Sequence, residues 1–218
     1  SFMKDELSIL LSGKGLTKKY DLRFSTNINL DIEEFIEDSI YLQVSGSELF
    51  KIDFNIKHKT PLILKMYSDL KHIELNSPLN SISKNKLVRL PTEILVTNLS
   101  NPSIKLSNQN IDMYIRDISK YDGYISIGKK IPDQFKSFVK EPGLNIYLYS
   151  EVINEDLLSY VFSKNSESAS VKLNKLAFDI KNFKFFNNNF SDVSGLFELN
   201  GSETKGNLTG DKLNLNLR

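Results

Sequence analysis

From Tyr20 to Ile32 the chain alternates without a break. Tyr20, Leu22, Phe24, Thr26, Ile28, Leu30 and Ile32 fall on one side, Asp21, Arg23, Ser25, Asn27, Asn29 and Asp31 on the other. Successive side chains of a strand point to opposite faces, so this is a strand with one oily face and one wet face. At ~3.4 Å per residue it runs ~40 Å, about twice the common strand length. Few globular cores need so long a strand with one dry side, but a sheet curled around something apolar does.

The same period of two recurs along the chain. Leu7, Ile9 and Leu11 precede a turn at Gly13-Lys14-Gly15. Ile40, Leu42 and Val44 lead to Gly46-Ser47, and Phe50, Ile52, Phe54 and Ile56 follow, which predicts a hairpin turning at Gly46. Leu62, Leu64 and Met66, then Ile94 and Val96, Ile104 and Leu106, and Ile111, Met113 and Ile115 keep the rhythm. So do Ile125 and Ile127, Leu144, Ile146 and Leu148, Leu176, Phe178 and Ile180, and Leu213, Leu215 and Leu217. Ala169 and Ala177 are the only examples of the best helix former. The interruptions are few. Residues 31–38 suit a single helical turn, 132–140 and 154–163 suit short helices, and 74–86 and 164–170 are polar loops. The pattern predicts a mostly β protein: a long curled antiparallel sheet forming an open apolar groove, with one or two short helices. No composition shift marks a linker, so residues 1–218 read as one continuous section. Ser1 and Phe2 ahead of Met3 read as a cloning remnant, and a strand pattern running to the last residues reads as an excised piece of a longer protein.

Chemistry-bearing residues are sparse. The 218 residues include no cysteine and only His58 and His72, so a metal site has to rest on carboxylates and those two, and no spacing supports one. Ser68, Asp69 and His72 lie close in sequence, but triads are assembled across a fold, and the three read as a turn after a strand. Gly13-Lys14-Gly15 lacks the strand and helix context of a phosphate loop. Glu33, Glu34, Glu37 and Asp38 read as a solvated face, with calcium the alternative. Asn98 and Asn207 head glycosylation triplets that matter only in a eukaryotic secretory setting. A net charge of +1 gives no global attraction for nucleic acid or an anionic membrane. Phe178, Phe183, Phe185, Phe186 and Phe190 crowd a stretch rich in Lys and Asn. Stacking on single-stranded bases is one use of such a block, and packing in a sheet or lining an apolar groove is the other. No cofactor is expected, and the chain does not read as an enzyme.

Residues 192–217 (DVSGLFELNGSETKGNLTGDKLNLNL) string short amphipathic strands together with glycines at Gly195, Gly201, Gly206 and Gly210, which read as turns. This stretch resembles the tail of AsmA-like proteins, and their YhdP branch in particular. Leu173 to Ile180 and the Tyr20–Ile32 strand are compatible with the same architecture. The resemblance covers about the last 45 residues in particular and the rest only in pattern. It implies a section of a long bridge, anchored in the inner membrane of Gram-negative bacteria, that crosses the periplasm and carries phospholipid towards the outer membrane. The partners implied are phospholipid acyl chains and neighbouring sections of the same longer chain. Membranes would be touched by the full-length protein rather than by this section, and nucleic acid is not a partner.

For the apolar wall the alternation singles out Leu22, Phe24, Ile28 and Leu30 from the long strand. Ile52, Phe54, Ile111, Met113, Ile146, Leu148, Phe178 and Ile180 are the further candidates. A rival reading uses the same residues as the filled core of a β-sandwich scaffold or adhesion module with no ligand. A third makes the chain an enzyme using His58 or His72.

Overall fold

The computed structural model describes residues 7–12, 20–34, 42–77, 79–98, 100–129, 131–135, 140–154, 173–185, 187–200, 203–211 and 213–217. The described residues are mostly β, with almost no helix among them. It divides into two compact units, residues 1–76 with 84–109, and residues 77–83 with 110–218.

The first unit carries eight described strands: β1 (Leu7–Ser12), β2 (Asp21–Asp31), β3 (Gln43–Ser45), β4 (Ser47–Lys57), β5 (Ile63–Ser68), β6 (Glu74–Asn76), β7 (Thr92–Thr97) and β8 (Ser103–Ser107). Six of them lie side by side in the order β1-β2-β4-β5-β7-β8, antiparallel at every pairing. The uninterrupted alternation of residues 20–32 becomes β2, which pairs with β4 along its whole length, Asp21 opposite Lys57 and Asp31 opposite Ser47.

The hairpin predicted at Gly46 does not form. β3 pairs with β6 in a small sheet of its own, and β4 passes to β2 and β5. Gly46 makes the corner. Its φ is +111°, and a Cβ there would stand 2.3 Å from the His72 carbonyl oxygen. Only glycine combines that backbone with so close an approach. The corner is held by Gly46 N donating to Glu33 Oε1 at 2.9 Å. Residues 74–86 are therefore not wholly loop, since Glu74–Asn76 are extended and Leu75 bridges Lys84.

The second unit holds β9 (Ile111–Asp117), β10 (Asp122–Ile127), β11 (Leu144–Asn154), β12 (Leu173–Phe185), β13 (Asn188–Asn200), β14 (Glu203–Gly210) and β15 (Leu213–Leu217), adjacent in sequence order. The sheet is mixed, not antiparallel throughout: β10–β11 and β11–β12 run parallel. A parallel pair needs a crossover of about a dozen residues or more, and the connections 128–143 and 155–172 supply that length. Those are the stretches that the sequence marks as interruptions. Of the short helices predicted, Asp133–Phe135 is a 3-10 turn, as is Ile32–Glu34. Asn154 ends β11. The rest of 154–163, the 164–170 loop, residues 35–38 and the Gly13-Lys14-Gly15 turn lie outside the described residues. Neither set of strands closes into a barrel.

The glycines of the C-terminal meander correct a second expectation. Gly195 and Gly206 sit inside strands rather than in turns. Gly195 lies opposite Phe178 and Gly206 opposite Phe197. A Cβ on Gly195 would come within 2.7 Å of the Phe178 ring, and one on Gly206 within 2.6 Å of the Phe197 ring. The two rings stack at 5.8 Å with 20° between their planes. Each glycine is thus a socket for the neighbouring ring, a common reason for glycine inside a strand.

Beyond Ile180 the alternation slips at one height across three strands. Glu151 and Val152, Lys181 and Asn182, and Ser191 and Asp192 are consecutive exposed pairs, and Asp192 takes a φ of +49°. Ile153 and Phe183 return to the buried side because of the slip.

Gly195→Val should destabilise the fold by about 1–3 kcal/mol, as overpacking of a filled site does. Combining it with Phe178→Leu should recover part of the loss in the same urea titration. An unchanged midpoint for Gly195→Val alone would show that the ring has room to move away.

Candidate functional site

In the first unit the registers bring apolar positions into rows. Phe24 faces Phe54, Phe54 faces Leu64, Leu64 faces Val96 and Val96 faces Ile104. Next to that row stand Thr26, Ile52, Met66, Ile94 and Leu106. Leu22 lies opposite Ile56, Ile28 opposite Phe50 and Leu30 opposite Glu48. Residues opposite one another in a ladder share a face, so one side of β2-β4-β5-β7-β8 is apolar nearly throughout. At ~4.8 Å between strands, the Phe24-to-Ile104 row is ~19 Å long.

This face is buried at one end and half-buried along the rest. Phe50, Ile52, Ser68 and Thr92 are buried, as are Val44, Ile73 and Leu90 of the segments about the β3–β6 pair. Glu48 is the polar member of that end, only 5% exposed. Its carboxylate accepts from His72 N at 2.7 Å and Leu49 N at 3.2 Å, with His72 Nδ1 at 3.5 Å. Lys84 is also buried and its ammonium donates to the carbonyls of Ile73 and Asn85. Burial holds that amine below its usual range, against the opposing pull of Glu48 and Glu74. These buried charges are thus partnered, as buried charges must be. Away from this end Leu22, Phe24, Phe54, Ile56, Leu64, Val96 and Ile104 are only half-buried. A filled two-layer core would bury such residues fully.

The reverse side is wet. Ser25 donates to Asp53 at 2.6 Å, Lys65 meets Glu93 at 3.1 Å and Lys57 meets Asp21 at 3.5 Å. A shallow depression of about 470 Å³ between Arg23, Asp53, Asn55, Ile63 and Lys65 lies on this side, not on the apolar one. Its cations meet acids at its edge, Arg23 with Asp21 and Lys65 with Glu93, and exposed pairs of this kind contribute little.

The second unit arranges its apolar residues differently. Ile111 and Met113 face Ile127 and Ile125, which face Leu148 and Ile146, and Leu148 faces Phe178. The β9–β10 side of this face is half-buried, whereas Leu176, Phe178, Ile180, Val193 and Phe197 are buried. Its other side is not simply wet. Tyr147, Tyr149 and Ala177 form a core there with Ile131, Phe135 and Leu196, and the Phe135 ring stands 5.6 Å from that of Tyr147. Parallel strands are usually covered on both faces, and β11 and β12 follow that rule.

The twelve residues singled out from the sequence therefore fall six to a unit, and within each unit all six share a face. Leu22, Phe24, Ile28, Leu30 and Phe54 are half-buried, with Ile52 buried among them. Ile111, Met113, Ile146 and Leu148 are half-buried, with Phe178 and Ile180 buried. Reasoning from the sequence missed Phe50, Ile56, Leu64, Met66, Ile94, Val96, Ile104 and Leu106 as members of the same wall. Their alternation was visible, but the register that lines them up was not.

The residues weighed for catalysis are engaged elsewhere. Ser68 Oγ accepts from Leu70 N at 3.1 Å, Asp69 accepts from Tyr67 Oη at 2.8 Å, and His72 turns to Glu48. His58 packs edge-on against Tyr20 at 5.5 Å. Among the described residues no group of three or more His, Asp or Glu stands together to hold a metal.

Two tyrosines of the second unit carry displaced phenols. Tyr124 donates to Asp112 at 3.0 Å, and burial, then the Asp112 charge, push it up to about 12. Burial, then the 2.7 Å hydrogen bond to Asp179, raises Tyr147 as well. Raised values mean that the folded chain holds these protons more tightly than the unfolded one. Their stabilisation is whole below the ordinary 10.0 and is lost as pH climbs, through about 12 for Tyr124 and higher for Tyr147. The melting temperature should fall over that range, and less steeply in a Tyr124→Phe, Tyr147→Phe double variant. Equal slopes would place the alkaline loss elsewhere.

No family model, no curated protein sequence and no solved structure matches this chain.

Proposed function

We propose that the chain is a non-catalytic lipid-binding section whose apolar sheet face holds phospholipid acyl chains. The carrying observation is the half-buried apolar face of the first unit, from Phe24 and Phe54 across to Val96 and Ile104. Leaving such a face to water is unfavourable by ~25 cal/mol for each Å² of apolar surface, so an apolar occupant is favoured there. An acyl tail spans about half of a ~30 Å bilayer core, ~15 Å, which the ~19 Å row accommodates. The attraction is non-directional, so a chain can slide along the face without breaking specific bonds. Together with the resemblance of residues 192–217 to the AsmA-like YhdP branch, this supports one section of a periplasmic bridge between inner and outer membranes. On that reading the neighbours are further sections of the same longer chain.

The filled-core reading has its own observation, the burial of Phe178, Ile180 and Phe197 in the second unit. It applies to that face, and the lipid wall proposed here is that of the first unit.

Organic extracts of the purified protein should contain phospholipid by mass spectrometry. Phe24→Asp with Phe54→Asp sets two charges opposite each other on the open stretch. The double variant should lose that lipid while keeping its far-ultraviolet dichroism and a cooperative melt. Unfolding of the variant, with a lipid-free wild type that takes up none in vitro, would instead mark the face as a closed core.

A further inference from the structure

We infer that the turn carrying Leu87 and Val88 is a wedge that inserts into an anionic lipid surface. Leu87 is 71% exposed and Val88 52%, the two most exposed residues at one point among the large apolar side chains described. They are not loose. Leu87 N donates to the Lys71 carbonyl at 2.8 Å, Val88 N to Asn85 at 3.4 Å, and Leu90 N to Asp69 at 2.6 Å. Leu90 is buried and anchors the far side of the turn, while the buried Lys84 ammonium ties its near side to Ile73 and Asn85. The backbone thus presents two aliphatic side chains outward from a pinned base.

The conformation of Leu87 runs against its side chain. Its φ is +72°, a region that bulky residues avoid and that glycine or asparagine enters readily. A strained leucine with almost no packing does nothing visible for the fold. Its side chain makes sense where something apolar meets it from outside.

Charge identifies the occupant. Lys86 and Arg89 flank the pair in sequence, the Lys71 backbone meets Leu87, and the Arg89 side chain is 69% exposed. Asp69 is the acid facing them, 3.8 Å from Arg89. Two aliphatic residues are far too small a patch for a stable protein interface of ~800 Å² per partner. An apolar tip framed by cations is the arrangement that binds the interface of an anionic bilayer, the aliphatic groups entering and the cations meeting headgroups. This surface lies on a loop separate from the apolar wall and does not depend on the wall being filled.

The test is flotation of the purified protein with vesicles of phosphatidylglycerol mixed with phosphatidylcholine, beside vesicles of phosphatidylcholine alone. The wild type should bind the mixed vesicles better, and high salt should weaken the binding because exposed charges are screened. Leu87→Asn should weaken vesicle binding roughly tenfold or more, the factor expected from one buried leucine, while its melting temperature stays level or rises. Lys86→Gln with Arg89→Gln, which touches no packing, should remove the preference for phosphatidylglycerol. A wild type that floats with neither vesicle overturns the inference. So does Leu87→Asn binding as well as wild type, or the Gln pair keeping the anionic preference. Phe24→Asp with Phe54→Asp should leave flotation intact, so failure here is distinguishable from failure of the lipid wall.

Discussion

Strand register is the constraint on which everything else here depends. Each strand must satisfy its backbone donors and acceptors against a neighbour, and the pairing chosen decides which side chains share a face. Alternation within a strand only offers two faces. It is the alignment of Phe24 with Phe54, Leu64, Val96 and Ile104 that sums five such strands into one apolar surface. A slip of one residue in any of them would set a charged residue such as Asp53 or Lys65 into the row. The salt bridges on the wet side, Lys65 with Glu93 and Lys57 with Asp21, are weak individually, but they occur only in the correct register.

The two units use the same alternation for different ends. In the first, the apolar face is buried only near Glu48, where the corner at Gly46 lets the chain leave the sheet and β3 pair with β6. In the second, long crossovers make β10, β11 and β12 parallel, and β11 and β12 are packed on both sides. Gly195 and Gly206, opposite Phe178 and Phe197, leave room for two large rings that stack on each other and are buried. Half-open and filled faces thus coexist in one chain, and the difference follows from topology and small residues rather than from overall hydrophobicity.

Much of this was legible in the sequence. β2, β4, β5, β7, β8 and the strands of the second unit other than β13 and β14 follow from period two, and so does the choice of which residues share a face within each of them. The parts that failed share one cause: they depend on contacts distant in sequence. The Gly46-Ser47 pair carries the local signature of a hairpin, and only the approach of the His72 carbonyl turns it into a corner. Gly195 and Gly206 look like turn residues until the aromatic rings across from them are known. Parallel pairing is invisible in β11 itself, although the length of its flanking interruptions was a usable signal. Among the wall residues, Leu64 and Val96 were as alternating as Phe54, but nothing local says that they stand in line with it.

A half-buried apolar surface on a folded chain calls for a physical explanation, because contiguous exposed patches invite association. Mere tolerance is a poor one, since the face is not scattered but ordered into rows across five strands, with the charged residues of those strands other than Glu48 on the reverse. Nor is the surface an unavoidable remnant of strand composition. At its Glu48 end Phe50 and Ile52 are buried, as are Val44, Ile73 and Leu90 of the segments about the β3–β6 pair, and the buried Glu48 and Lys84 there have hydrogen-bond partners. The face is thus buried at that end and half-buried along the rest. The acyl chain proposed as its occupant would need apolar contact along a row and no fixed hydrogen bonds. The half-buried stretch offers contact of that kind, with its charged residues on the other side.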